Sequence, residues 1–136
     1  MTDANAEADR WLAENFPDWV RALEPRVEAM ACTGVILSMP VTAAILRPGG
    51  QVAGQALASF AETAMVIACA RHFREFRPVE TLTLDLQFLQ PAEGTRITCM
   101  AGLVRPGKTH IFTRAVLTAD PSGKDVAAAT ATFAVV

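Results

Sequence analysis

The sequence predicts an α+β fold in which an antiparallel sheet wraps around one long apolar helix. Residues 53–73 are rich in alanine and repeat their apolar side chains at helical spacing. Residues 81–88 alternate strictly between polar and apolar side chains, which is typical of a strand. Four strand-like segments follow the helix through short turns. A helix that is apolar around its circumference must be covered, and the sheet can cover it.

The N-terminal segment is predicted to be helical. Residues 3–31 carry apolar side chains at roughly helical spacing. Pro17 suits the first position of a helix and Pro25 suits a break, so we expect two short helices or one kinked helix. We assign residues 1–31 to a helical extension and residues 33–136 to the core of a single domain, because 136 residues is a common domain length.

The segment before the long helix combines a strand with a glycine-rich turn. Residues 35–46 are largely β-branched or apolar, and we expect a strand that is interrupted or ends near Pro40. A turn follows at residues 47–50, and the helix begins near Ala53. Pro78 prevents the helix from continuing into the next segment.

Four strands are predicted after the helix, at residues 81–88, 96–104, 109–119 and 125–135. Because short turns join them, we expect each strand to pair with the next one as an antiparallel hairpin. Apolar side chains occur on both faces of these strands. We therefore expect both faces of the sheet to be covered, in part by a partner subunit.

The composition argues against several classes of function. Lys and Arg number 12 against 14 Asp and Glu, and a net charge of −2 argues against a nucleic-acid or anionic-membrane partner. No stretch approaches the roughly 20 apolar residues of a membrane span, and the acidic N-terminus does not resemble a signal peptide. The spacing of Cys32, Cys69 and Cys99 favours reduced thiols over disulfides or zinc ligands. We expect a cytoplasmic protein with no bound metal.

Glu62 is the one charged residue between Pro48 and Ala70. At helical spacing it shares a face with small and apolar side chains and with Gln55 and Ser59. An unpaired buried carboxylate is costly, which argues against idle packing. We therefore consider Glu62 a candidate general base or nucleophile. A paired or solvated glutamate on the outer face of the helix stays open as the alternative.

Two further features could contact a substrate. Residues 49–55 contain glycines and precede the helix, whose N-terminus presents free amide N–H groups that can hold a phosphate or polarise a carbonyl oxygen. A plain turn followed by a helix cap is the alternative. The turn that contains Arg105 and Lys108 is basic and could contact a phosphate, unless it is simply a solvated loop.

Taken together, these residues resemble a known family. A strand, a glycine-containing loop, an apolar helix with one acidic residue and four antiparallel strands resemble the hotdog fold. More narrowly, residues 33–136 resemble the acyl-CoA thioesterases of the phenylacetate-degradation (PaaI-like) group. The matching pieces are Ala53-Gly-Gln with Glu62, the strand from Thr81 to Pro91, the Gly107-Lys-Thr hairpin and the last strand, residues 123–133.

The resemblance implies a role for each of the central site residues. The family carries an Asp about nine residues after the His of a His-Gly-Gly motif, and here Glu62 stands nine residues after Ala53. Glu62 is then the general base or nucleophile, the amides of Gly54 or Gln55 form the oxyanion hole, and Thr81 orients a water. Three departures from the family pattern are Glu in place of Asp, Ala53 in place of His and Gln55 in place of the second Gly.

The resemblance further implies hydrolysis of an acyl-CoA thioester to a free acid and CoA, with no cofactor besides the CoA of the substrate. Substrate contacts are then expected from Gln51, Ser59, Arg105 and Lys108. The family's site lies between two subunits, which implies a homodimer or a dimer of dimers, that is, a tetramer. A hotdog protein that binds an acyl-CoA or an aromatic ligand without turning it over is the alternative function.

Overall fold

The computed structural model describes residues 2–31 and 33–136. Its elements, in chain order, are α1 (Thr2–Asn15), α2 (Asp18–Arg21), β1 (Arg26–Ala31), β2 (Gly34–Pro40), a 3₁₀ turn (Ala43–Ile45), α3 (Gly54–Phe73), β3 (Val79–Phe88), β4 (Arg96–Pro106), β5 (His110–Asp120) and β6 (Lys124–Val135). Within these residues, no helix combines the length and the hydropathy needed to cross a membrane.

The six strands form one antiparallel sheet in the order β1-β2-β4-β5-β6-β3, and α3 lies on one side of it, which we call the inner face. The core lies between α3 and this face. From α3 it takes large apolar side chains such as Phe60 and Ile67, and from the sheet it takes Leu37, Leu117 and Phe133, all without solvent exposure. This is the α+β architecture that the sequence predicts.

The prediction for the N-terminal segment is only partly right. Helices α1 and α2 form, but residues 26–31 are strand β1. A β-bulge follows Val27 and turns both Val27 and Met30 toward the core, although they are three positions apart. Two inward-facing residues three positions apart have the spacing expected of a helix. This explains why residues 26–31 were predicted to be helical. The sheet therefore begins at Arg26, inside the segment that we assigned to the helical extension.

The predicted hairpin between β3 and β4 is also wrong. Strand β3 pairs with β6 at one edge of the sheet, while β4 lies between β2 and β5. Residues 89–95 therefore carry the chain past the ends of β6 and β5. Seven extended residues can reach about 23 Å, more than the three strand spacings of about 4.8 Å that they have to cross. The hairpins β4–β5 and β5–β6 form as predicted.

The outer face of the sheet is bare in the single chain. Met100, Val104 and Val116 point away from α3 and are 63%, 58% and 40% exposed. The expectation that a partner subunit covers apolar surface stays a prediction, and this face is one of the two places where it applies.

Two of the three cysteines are buried free thiols. Cys69 lies on α3 and Cys99 on the inner face of β4. Burial raises the pKa of each thiol from the ordinary value of 9.0 to about 12. Both are therefore protonated packing residues, as the sequence predicts, while Cys32 lies outside the described residues.

Candidate active site

Glu62 and Thr81 meet at the side of α3 that the sheet leaves open. The Thr81 hydroxyl donates a hydrogen bond of 2.7 Å to Oε2 of Glu62, which links α3 to the edge strand β3. Glu62 is half-buried in the single chain and Thr81 is exposed. Among the described residues, no group donates a hydrogen bond to the other carboxylate oxygen, Oε1. The Glu62 carboxylate therefore has Oε2 in a hydrogen bond to Thr81, while Oε1 can contact a substrate or a water.

A β-bulge in β3 turns Thr81 toward the helix. Thr81 pairs with Phe133, which is fully buried on the inner face, whereas Thr83 pairs with a residue of the outer face. The shift in register between these two threonines makes Leu82 an extra residue in the strand. Under strict alternation Thr81 would point away from α3 together with Thr83. Strand pairing therefore creates the contact with Glu62.

The first turn of α3 leaves two backbone amides free. Ala53 has extended backbone angles (φ −63°, ψ 140°) and caps the helix without a side-chain hydrogen bond. The N–H groups of Val52 and Ala53 donate to carbonyl groups outside the loop, at 2.9 and 2.8 Å, which anchors the entry to the helix. In the part of the chain that the structure describes, the N–H groups of Gly54 and Gln55 have no acceptor. They lie at the positive end of the helix dipole.

Phe88, the last residue of β3, packs its ring against Gly54. A Cβ atom on Gly54 would lie 3.1 Å from Cζ of Phe88, so the ring occupies the space of a side chain. Phe88 nevertheless stays 58% exposed. Sequence reasoning treated Phe88 only as a member of the alternating strand and missed this contact. The alternation places Phe88 on the same face of the strand as Leu84 and Leu86. It does not predict which part of α3 this face contacts.

The partly exposed surface along which α3 meets the edge strand β3 is called here the α3–β3 groove, and the contacts Thr81–Glu62 and Phe88–Gly54 lie on it. Leu84 and Phe88 face the same side as the buried residues of β6, yet they are 37% and 58% exposed. Opposite them, Ser59, Glu62 and Val66 of α3 are half-buried. Since β3 is the edge strand of the sheet, residues 2–31 and 33–136 contain no further strand that covers this groove. The expectation that a partner subunit covers apolar surface therefore applies here as well as on the outer face, and it stays a prediction.

The free amides and the carboxylate lie at two separate points of the groove. Gly54 and Glu62 are eight residues apart in α3, which corresponds to about 12 Å along the helix axis. A thioester carbonyl group has to lie within about 3 Å of both its oxyanion donors and its attacking group. A single chain therefore does not bring the predicted catalytic residues together on one substrate.

Gln51 and Ser59 occupy different surroundings. The side chain of Gln51 accepts a hydrogen bond from the Arg47 guanidinium, and both residues belong to the loop before α3. Ser59 lies on the open face of α3, and its hydroxyl donates to the carbonyl oxygen of Gln55 at 2.9 Å. Ser59 therefore stands between the free amides and Glu62, whereas Gln51 stays in the loop.

Arg105 and Lys108 flank the turn between β4 and β5. Both are exposed, and neither forms a salt bridge with a residue that the structure describes. Strand pairing sets this turn at the same end of the sheet as Thr81, through the cross-strand row Thr81, Phe133, Ile111 and Pro106. Three strand spacings, about 14 Å, separate the turn from Thr81. Only an extended ligand could contact Glu62 and this turn of the same chain.

Comparison with known proteins identifies the family. The family model described as the acyl-CoA thioesterase N-terminal domain matches residues 42–134. The chain belongs to the acyl-CoA thioesterase family. The matched range contains α3, strands β3 to β5 and every candidate site residue. Comparison with curated protein sequences gives no match.

Solved structures of thioesterases share the fold over nearly the whole chain. A phenylacetic acid degradation-related protein from Ralstonia eutropha is 28% identical, covering 95% of this chain and 99% of that chain, with a TM-score of 0.81. A thioesterase family protein from Silicibacter pomeroyi is 25% identical over 96% of each chain, with a TM-score of 0.85. The PaaI protein of E. coli is 21% identical over 98% and 94%, with a TM-score of 0.84. These matches confirm the hotdog fold and the PaaI-like resemblance.

Proposed function

We propose that this protein hydrolyses acyl-CoA thioesters to a free acid and CoA. Membership in the acyl-CoA thioesterase family supports the reaction class. The observation that carries the proposal is the 2.7 Å hydrogen bond from Thr81 to Glu62 on the open side of α3. It holds a carboxylate at the helix position where the family resemblance implies a catalytic one. In this proposal the only cofactor is the CoA of the substrate.

Glu62 is the general base or the nucleophile of this reaction. As a base, Oε1 takes a proton from a water whose oxygen bonds to the thioester carbonyl carbon. The C–S bond then breaks, and the departing CoA thiolate takes that proton. As a nucleophile, Oε1 itself bonds to the carbon, the C–S bond breaks and CoA leaves as the thiolate, which gives a mixed anhydride with Glu62. Water then hydrolyses the anhydride, which releases the acid and restores the carboxylate, and the second proton of this water goes to the thiolate. Thr81 fixes the carboxylate through Oε2, and its hydroxyl oxygen can still accept a hydrogen bond from the attacking water.

The free amides of Gly54 and Gln55 stabilise the negative charge that develops on the carbonyl oxygen. They point out of a helix N-terminus, where the dipole favours negative charge. Loss of one such donor typically lowers kcat by about 10²–10³-fold. The backbone supplies these donors, so the absence of the family's second glycine at Gln55 leaves them in place.

A complete site takes its amides from one protomer and its carboxylate from a second protomer. Along α3 the two groups are about 12 Å apart. Two copies that pack their α3–β3 grooves together around a two-fold axis would bring Glu62 of each close to the free amides of the other. The same packing would bury Leu84. A homodimer is thus the minimal active unit, and a dimer of dimers would also cover the outer face.

The remaining candidate residues act on the substrate. Ser59 lies between the two halves of the groove and would contact the acyl or pantetheine chain. Arg105 and Lys108 are unpaired among the described residues and would bind CoA phosphates at the rim. Gln51 would contact the substrate from the loop, where its side-chain oxygen also accepts a hydrogen bond from Arg47.

The first experiment measures thiol release from a panel of aliphatic and aromatic acyl-CoAs by the native protein and by Glu62→Gln. We expect the substitution to lower kcat at least about a hundredfold, because it removes the proton acceptor. Glu80→Gln is the matched control, since Glu80 is an exposed carboxylate of the same strand as Thr81. It should keep full activity.

The outcome of this panel distinguishes a thioesterase that uses Glu62 from one that uses another base and from a binding protein. Turnover that survives in Glu62→Gln would show that another group is the base. Absence of turnover by the native protein on every acyl-CoA, together with tight acyl-CoA binding in calorimetry, would establish the non-catalytic binding protein instead.

Subunit mixing tests the shared site. Gln55→Pro removes one amide donor at a position in the first helical turn where proline is tolerated, and Gln55→Ala is its control because it keeps the amide. A mixture of inactive Glu62→Gln and inactive Gln55→Pro chains should recover about a quarter of native activity, because half the dimers are mixed and each has one intact site. No recovery after confirmed subunit exchange would place the whole site within one chain.

A further inference from the structure

We propose that Phe88 is a positioning residue, which holds the first turn of α3 so that the amides of Gly54 and Gln55 point at the thioester oxygen. The inference rests on the proposed function for the role of these amides. It adds a residue that touches neither the carboxylate nor the bond that breaks.

The contact between Phe88 and Gly54 is specific in its geometry. Three ring atoms of Phe88, Cζ, Cε1 and Cε2, lie 3.1, 3.4 and 3.7 Å from the position of a Cβ on Gly54. Gly54 is in an α-helix, whose backbone angles suit any residue. The ring, and not the backbone conformation, therefore explains why this position carries no side chain.

Phe88 is itself held firmly by the sheet. Its backbone pairs with Ala127 of β6, and the next residue, Leu89, donates its N–H to the carbonyl of Val126 at 2.9 Å. The backbone that carries the ring is thus anchored at the end of β3, and the ring lies against the start of α3.

Ala56 and Leu57 anchor the inner side of the first turn of α3 in the core, but among the described residues no side chain caps this turn on its open side. Ala53 makes no capping hydrogen bond through its side chain, and the backbone anchors of the loop end at Ala53. Inside the turn, the N–H groups of Ala56 and Leu57 share the carbonyl of Ala53 at 3.1 and 3.2 Å, longer than typical helical hydrogen bonds. The packing of Phe88 on Gly54 therefore limits how far the two free amides can tilt.

A size exchange tests the inference. Phe88→Leu should lower kcat about tenfold and change KM by less than about twofold, because the oxyanion donors act mainly in the transition state. Adding Gly54→Ala to Phe88→Leu returns a methyl group to the space that the ring vacates. The double variant should regain kcat to within about threefold of the native value. Rescue by a second substitution is not expected from a general loss of structure.

Phe112→Ala is the matched control. Phe112 is also a partly exposed aromatic residue, at 39%, but it lies on the outer face of β5 and faces away from α3. Its truncation should leave kcat within about twofold. Thermal unfolding and size-exclusion chromatography of each variant show whether the fold and the oligomeric state are retained.

A second measurement does not depend on activity. Hydrogen exchange of the Ala56 and Leu57 amides, followed by NMR, reports on the first turn of α3. Phe88→Leu should accelerate their exchange at least about fivefold relative to amides at the centre of α3, and the double variant should reverse this.

The two proposals fail in different ways. Unchanged kcat and unchanged exchange in Phe88→Leu, or a double variant no better than Phe88→Leu, would overturn the role of Phe88. If the native protein turns over no acyl-CoA, the proposed function fails, and with it the catalytic role of Phe88. The exchange data then decide only whether Phe88 holds this turn.

Discussion

Strands β5 and β3 belong to the same sheet but differ in how far their inner faces are buried. The inner residues of β5 (Ile111, Thr113, Ala115, Leu117 and Ala119) are all buried beneath α3. Beyond its bulge, β3 also places Leu84, Leu86 and Phe88 on the inner side, yet Leu84 and Phe88 remain exposed because β3 is the edge strand. The difference shows that an apolar face does not by itself indicate core. The molecule that covers an apolar face can be a separate chain.

The exposed strand β3 also contributes to the candidate site on α3. Thr81 binds Glu62 near the start of β3, and Phe88 packs on Gly54 at its end. Strand β5 contributes stability and no candidate catalytic group. A second copy that buries β3 would complete the proposed site and would also bury the exposed apolar residues of this strand. Under the proposed function, activity then depends on assembly.

The largest effect should come from the buried strand. Leu117→Ala should lower the free energy of unfolding by about 3 kcal/mol, because it removes a large side chain that has no solvent exposure. Leu84→Ala, the same truncation on β3, should cost less than about 1 kcal/mol for the dissociated chain. Urea unfolding at low protein concentration measures both. Equal losses would mean that β3 is as well covered as β5 within one chain.

The next effect separates association from stability. Leu84→Asp should weaken self-association by on the order of 2 kcal/mol, about thirtyfold in the dissociation constant, because it buries a charge in the proposed interface. Thr83→Asp adds the same charge to the outer side of the strand and serves as the control. Sedimentation of both variants over a dilution series is the measurement. Identical association of the two would rule out the α3–β3 groove as the interface.

A smaller effect concerns the bulge that turns Thr81 inward. Thr81→Ala should lower kcat about tenfold, equivalent to about 1.4 kcal/mol, and leave thermal stability unchanged, since Thr81 is exposed and acts through Glu62. Thr83→Ala removes the outward-facing threonine and should change neither quantity. A loss of activity that is the same for both variants would contradict the role of the bulge.

The smallest effect follows from the buried thiols. Their pKa values of about 12 in the folded protein exceed the ordinary 9.0, so the unfolded chain loses these protons first. The stabilisation is complete below pH 9 and is lost as the pH rises toward 12. From pH 7.5 to 9.5 each thiol should contribute a loss of about 1 kcal/mol. Few other groups titrate there, because the sequence has no tyrosine.

Unfolding of the native protein and of Cys99→Ala across this range measures that loss. The native protein should lose stability more steeply with pH than Cys99→Ala, whose lower baseline reflects the lost packing. Parallel curves would show that Cys99 does not titrate on unfolding.

Much of the fold could be predicted from local patterns. The length of α3, the alternation of β3, and the turns at residues 107–109 and 121–123 all depend on neighbours in sequence, and the structure contains them. The same holds for Glu62 as the single charge of an apolar helix. Strand β1 escaped prediction because a bulge gives it a spacing that resembles a helix.

The sequence by itself determined which segments form helices or strands in most of the chain, and which acidic residue could carry chemistry. Only the tertiary structure decided that β3 pairs with β6 and that Thr81 faces Glu62. It alone decided that Phe88 lies on Gly54. The physical reason is that local patterns depend on residues within one or two turns. Strand order and register depend on hydrogen bonds between residues far apart, and a shift of one position reverses every side chain.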